Sequence, residues 1–263
     1  MRFHDDGKAQ LDHLYTEPDP RTYLGTLRKL EYQIPQLAKP RFVRLIDELR
    51  PARDPVTVVD IGCGYGINGA LLRCDLSMDA LYERYGSALP MTRDELLARD
   101  RSLCSGLPSG LRIVGLDVSR PALEYAQQAG FVDAAVLADL EAGDPTPDQR
   151  SALAGADLVI STGCVGYVTG NTLVRVATSG DRLPWMAHFV LRMYPFEPIA
   201  SCLADLGYAT TRVEQVFRQR RFASAEEQAQ VLDTLAGLGV DPSGLEADGW
   251  LYAQLFISRP RIS

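Results

Sequence analysis

Short runs of β-branched and aliphatic residues alternate with amphipathic stretches along this chain, and that alternation sets the fold class. VTVVDIG, starting at Val56, is apolar at nearly every position, the pattern of a strand buried on both faces. LRIVGLDVS, AAVLADL, ADLVISTGCV and PWMAHFVLRMYP repeat it. Between these runs, INGALLR reads as a helix, as does PALEYAQQAG, which has Pro121 in its first turn and Gly130 at its end. ASCLADLG follows the fifth run as another helix. Two further β-runs, ATTRVEQVFRQ and WLYAQLFISR, close the chain, and residues 224–248 between them read as a helical excursion within a hairpin. Strands alternating with helices imply parallel βαβ units covered on both faces. The expectation is an α/β fold: a mostly parallel seven-stranded sheet whose last strand runs antiparallel.

Two segments fall outside this alternation. Residues 1–50 read as mostly helical, broken by Pro18, Pro20, Pro35 and Pro40, with an amphipathic helix over Arg41–Leu49. The sheet does not need them, yet they carry Tyr15, Tyr23 and Tyr32, more than a disordered tail would. They are expected to form a cap or lid, with residues 15–39 over the strand ends; the alternative is packing on the outer helices. The remaining chain, 51–263, forms the main domain, and about 75–105 reads as a helical insertion within it.

Composition narrows the classes. With 263 residues, 46% hydrophobic and 23% charged, the chain can bury a large single core. Its net charge of −7 argues against a general binder of nucleic acid or anionic membranes. No apolar run approaches the ~20 residues of a membrane span, and the first residues lack a signal-peptide core. Cys63, Cys74, Cys104, Cys164 and Cys202 form no C-x-x-C pair and read as reduced thiols of a cytoplasmic protein, not as a disulfide framework or metal site.

Candidate chemistry gathers where strands end. Asp60-x-Gly62-x-Gly64-x-Gly66 closes the first strand, so a ligand there would lie against bare backbone. A branched side chain at Gly64 is expected to intrude on that ligand volume. The spacing departs from G-x-G-x-x-G, and no GK[ST] follows to hold phosphate. Asp117 and Asp139 close the second and third strands, completing a row of three acids.

These motifs resemble the class I S-adenosylmethionine-dependent methyltransferases. VVDIGCGYG is similar to that family's first motif, GLDVS to its ribose-binding second motif, ADLE to its adenine-recognition segment, and DLVISTGCVGYV to its fourth-strand motif. The resemblance implies a Rossmann-like class I methyltransferase fold with S-adenosyl-L-methionine as cofactor and S-adenosyl-L-homocysteine as product. It implies cofactor contacts from Asp60, Gly62, Cys63, Gly64, Asp117, Val118, Asp139, Leu140 and Thr162, and no metal. The separation of Asp60 from Asp117 is much longer than the ~20 residues of a compact nucleotide-binding unit, which the insertion accounts for.

The implied reaction is in-line methyl transfer to an O, N or C nucleophile of a small molecule. The alternatives are a peptide or protein acceptor, or a cofactor-binding protein with non-methylating activity. STGCVGY stands where a base methyltransferase of the amino type would carry (N/D)PPY, so nucleic acid is not an expected partner; nor is a membrane, while a homodimer is possible. Tyr167, His188, Tyr32 and Tyr23 are the catalytic candidates, although His188 equally reads as a core histidine and the tyrosines as packing residues. Arg218, Arg220 and Arg221 read as a solvated strand face or as a holder for an acidic substrate group.

Overall fold

Six consecutive residues of strand β1, Val56–Ile61, are buried, because its two faces serve two different cores. The computed structural model describes residues 12–88, 90–104 and 110–261, so the expected cap falls partly outside the described residues, as does the end of the insertion. Val59 and Ile61 point to one face with Val114, Val159 and Met186, while Val56 and Val58 point to the other with Leu158, Ile160 and Phe189. That two-sided burial is why the strand runs read as continuously apolar.

The remaining strands are β2 (Leu111–Asp117), β3 (Ala134–Leu137), β4 (Leu158–Thr162), β5 (Trp185–Leu191), β6 (Tyr208–Arg221) and β7 (Trp250–Pro260). They form one seven-stranded sheet in the order β3-β2-β1-β4-β5-β7-β6. Neighbours from β3 to β5 pair in parallel, and β7 inserts antiparallel between β5 and β6. The expected sheet, including its antiparallel last strand, is the one observed.

Helices cover both faces. Before the sheet come α1 (Arg21–Lys29) and α2 (Ile34–Leu49); after β1 come α3 (Ile67–Arg73), α4 (Met78–Gly86) and α5 (Arg93–Cys104). The later helices are α6 (Arg120–Gln128), α7 (Pro147–Leu153), α8 (Gly170–Ala177), α9 (Glu197–Asp205) and α10 (Ala225–Gly237). Leu153, Leu173, Val176 and Leu203 bring α7, α8 and α9 onto one face, whereas Ile34, Ala38, Phe42 and Ile46 bring α2 onto the other.

Two expectations need correction. Pro40 does not break the N-terminal helix: α2 runs through it, although an internal proline costs about 3 kcal/mol. The apolar stripe of Ile34, Ala38, Phe42, Leu45 and Ile46 is continuous across Pro40, and packing it on the sheet outweighs the lost bond. Nor are all five cysteines free, since Cys74 and Cys104 form a disulfide with a Cα–Cα distance of 5.3 Å. The bond joins the end of α3 to the end of α5, an approach that spacing along the chain cannot show. With it goes the cytoplasmic argument built on thiols alone. No helix among the described residues is long and apolar enough to cross a membrane.

The structure also separates Arg220 from Arg221 near the end of β6. Arg221 pairs with Glu31 at the surface, whereas Arg220 is buried and holds both carboxylate oxygens of Glu227 on α10, at 2.6 and 2.9 Å. Glu227→Ala would leave the Arg220 charge buried and unpaired. The expected outcome is a loss of about 3–5 kcal/mol of folding stability, read by denaturant unfolding.

Candidate functional site

Parallel pairing brings the carboxyl ends of β1, β2, β3 and β4 to one edge, where an open α/β sheet binds ligands. A cavity of about 580 Å³ opens there. Gly62, Asp117, Val118, Asp139 and Leu140 all line it, so five of the nine expected cofactor residues share one wall.

Asp117 organises that wall. Its Oδ2 accepts from the Gly64 amide at 2.8 Å and its Oδ1 from the Ser119 amide at 2.8 Å, so one carboxylate bridges the glycine loop and the start of α6. Burial pushes its pKa up, against the pull of these backbone donors. Ser119 caps α6 by accepting from the Ala122 amide at 3.4 Å, which leaves Asp117 free of that duty. Next to it, Val118 is 69% exposed and lines the cavity, offering it apolar surface. Asp139 lies two residues beyond β3, its Oδ1 accepting from the amides of Glu141 and Ala142 at 3.0 and 3.2 Å.

Asp60, Cys63, Gly64 and Thr162 do not line the cavity, for different reasons. The Cys63 sulfur turns into the core against Gly115, where a Cβ would come within 2.7 Å of it. Gly64, at φ +51°, faces Tyr15: a Cβ would stand 2.8 Å from a carbon of that ring. The space expected to hold ligand beside Gly64 is therefore filled by the chain's own N-terminal segment. Asp60 is buried, with Oδ1 accepting from Asn68 Nδ2 at 3.0 Å and Oδ2 without a hydrogen-bond partner among the described residues. Burial pushes its carboxyl up to about 7. The same Asn68 amide donates to Thr162 Oγ1 at 3.1 Å, tying the ends of β1 and β4 together.

Of the four catalytic candidates, Tyr167 lines the cavity; its hydroxyl donates to the Gly163 carbonyl at 3.2 Å, and the residue is 48% exposed. Tyr32 reaches the end of β4, donating to the Thr162 carbonyl at 3.2 Å, and burial pushes its hydroxyl pKa up. Tyr23 is buried against Tyr15 and Tyr65, with ring centroids 5.0 and 5.4 Å away. His188 sits inside the sheet with Nδ1 2.9 Å from Ser161 Oγ, and burial lowers its pKa to about 3. It is placed away from the cavity wall, with its ring beside Phe196.

Thr16, Glu141 and Cys164 line the wall without having been expected there, and Tyr15, expected as part of a lid, lines it directly. Glu141 was legible as the neighbour of Asp139 in ADLE. It accepts from the amide and hydroxyl of both Thr169 and Thr172, fastening the loop after β3 to α8. Among the described residues no group of three or more His, Cys, Asp or Glu side chains is placed to hold a metal.

The raised Asp60 pKa has a definite sign. Its folded value of about 7 exceeds the ordinary 3.8, so the fold favours the protonated acid. The stability it contributes is complete below the ordinary value and is lost as pH rises through about 7. Thermal unfolding followed from about pH 4 to 8 is expected to show that decline in the native protein and its flattening in Asp60→Asn.

No protein-family model matches the chain, and no curated protein does. Solved structures similar to it include the magnesium protoporphyrin IX methyltransferase of Synechocystis PCC 6803 with bound SAM, 13% identical, covering 98% of this chain and 99% of that one at a TM-score of 0.48. A geranyl diphosphate methyltransferase in complex with GPP and sinefungin is 13% identical over 86% of this chain and 78% of that one, at 0.45. A TehB-like SAM-dependent methyltransferase from Corynebacterium glutamicum ATCC 13032 is 17% identical over 81% and 84%, at 0.41. These are likenesses of fold.

Proposed function

We propose that the cavity binds S-adenosyl-L-methionine and that the chain transfers its methyl group to a nucleophile of a small molecule, releasing S-adenosyl-L-homocysteine. One observation carries the reading: the Asp117 carboxylate is fixed beside the glycine loop on the wall of a cavity large enough for a nucleoside. Each Asp117 oxygen takes one backbone N–H and keeps a lone pair, which suits the two hydroxyl donors of a ribose. Val118 and Leu140 offer apolar surface to the faces of a purine, and Asp139 an acceptor to its exocyclic amine.

The charge on the wall fits as well. Asp117, Asp139 and Glu141 stand on it against the single basic side chain Arg120 among the described residues, a balance suited to a cation and not to phosphates. Asp60, with its unpartnered Oδ2 at the strand end, gains from a nearby cation, which would favour its ionised form. When bound, the cofactor supplies an electrophilic methyl group on a cationic sulfur. The chain's part is to orient the reactants and keep water out, and orientation alone is worth about 7–11 kcal/mol in favourable cases.

Tyr15 and Thr16 close one side of the cavity, and Tyr32 holds the Thr162 carbonyl, so residues 15–39 act as its lid in this reading. Burial keeps the Tyr32 hydroxyl protonated at neutral pH, which makes it a hydrogen-bond donor and not a base. Tyr167, exposed to the cavity, is the group placed to touch an acceptor.

Asp117→Ala is expected to weaken S-adenosyl-L-homocysteine binding by about 2–4 kcal/mol in calorimetry, with Asp117→Asn giving an intermediate loss that controls for folding. Unchanged affinity in both variants rejects the cofactor assignment. Labelled cofactor offered to metabolite pools and to protein extracts separately is expected to mark the former. Tyr167→Phe is expected to lower kcat about tenfold or more while leaving product affinity unchanged, as measured by single-turnover assay and calorimetry.

A further inference from the structure

A second concavity, of about 560 Å³, lies between α2 and the strands β6 and β7 and shares no lining residue with the first. Three guanidinium groups line it: Arg41 and Arg44 from α2, and Arg218 from β6. Gln33, Gln215 and Tyr252 supply its polar remainder.

The arginines are held by neutral groups. Arg41 Nη2 donates to Gln215 Oε1 at 2.7 Å, and its guanidinium lies 5.8 Å from the Phe217 ring centre. Arg218 Nε donates to Tyr252 Oη at 3.1 Å, and its guanidinium lies 4.8 Å from the Trp250 ring centre. Neither forms an ion pair with a carboxylate among the described residues. Arg44 meets Glu48 at 3.1 Å, but Glu48 also takes Arg259 at 2.6 Å, so one carboxylate serves two cations. A protein of net charge −7 thus concentrates uncompensated positive charge in one groove.

Mutual repulsion makes that arrangement unfavourable for folding alone. Arg218 and Arg44 are exposed, as edge cations that resist aggregation would be, but that role does not require the guanidinium groups of Arg41 and Arg218 to be held by amide, phenol and aromatic-ring contacts. Pinning through Nε or one Nη leaves the other nitrogens of the fork as donors, the geometry that meets phosphate oxygens in pairs. The pairing irregularity of β6 between Arg212 and Val216 contributes, because it falls at Gln215, the partner of Arg41.

We propose that this groove is a second ligand site, for a small molecule bearing a phosphate or diphosphate ester gripped by Arg41 and Arg218 with Arg44 at the rim. The site does not depend on the identity of the ligand in the first cavity.

Pyrophosphate is the probe, titrated calorimetrically into the full chain, with S-adenosyl-L-homocysteine titrated in parallel. Saturable binding is expected, weakened about tenfold or more by Arg41→Gln and by Arg218→Gln, each with an unchanged melting temperature and unchanged homocysteine-product binding. Absence of saturable heat overturns the proposal, as does equal affinity in both variants. So does equal binding of sulfate at matched ionic strength, which would reduce the groove to a non-specific basic surface. Absence of S-adenosyl-L-homocysteine binding by the unmodified chain, with saturable pyrophosphate binding present, would refute the cofactor reading and leave the groove standing.

Discussion

A single carboxylate, that of Asp117, ties together the parts on which the cavity depends. The β1–β2 pairing places Ile61 opposite Leu116, so the glycine loop and the first residues after β2 leave the sheet side by side. Two chain segments then have backbone N–H groups facing one small volume, and Asp117 accepts one from each. Without an acceptor there, the buried donors would cost the fold free energy, since unpaired buried N–H groups are poorly tolerated. The same atoms that close the loop also charge the cavity wall.

The N-terminal segment is built onto that loop. Tyr65, fully buried in the glycine turn, has its hydroxyl within 2.9 Å of the Leu14 carbonyl and 2.8 Å of the Glu17 carbonyl. Ser119 Oγ donates to the Tyr15 carbonyl at 2.6 Å, and the Tyr15 ring lies over Gly64. Three separate stretches of chain therefore meet around one turn. The close approach of the Tyr15 ring, together with a positive φ, requires glycine at position 64. Any motion of this segment would alter the cavity directly, since Tyr15 and Thr16 are part of its wall.

Buried charge fastens the outlying helices. Asp100 of α5 accepts from Tyr85 of α4 and, at 2.6 Å, from Tyr125 of α6, while Arg84 Nε donates to its other oxygen at 3.0 Å. The helices that interrupt the βαβ pattern are thus joined to the helix that follows Asp117. Arg220 and Glu227 do the same for α10 at the far end of the sheet. Such pairs are costly to break, because removing one partner leaves the other charge buried and uncompensated.

Much of this protein is legible in its sequence because strands buried on both faces must be apolar throughout, turns at strand ends need glycine, and helix starts need caps. Those are local demands, readable within a few residues, and they located β1 to β7, the glycine loop and the acids at positions 60, 117 and 139. They could not decide which residues from distant stretches would touch. Cys74 and Cys104 are joined only because α3 and α5 converge, and Tyr15 covers Gly64 only because the N-terminal turn folds back across the sheet edge. Cys63 turns inward against Gly115, and His188 is enclosed because β5 lies between β4 and β7 within the sheet. Periodicity states which side of an element is buried; the path of the chain decides what it is buried against.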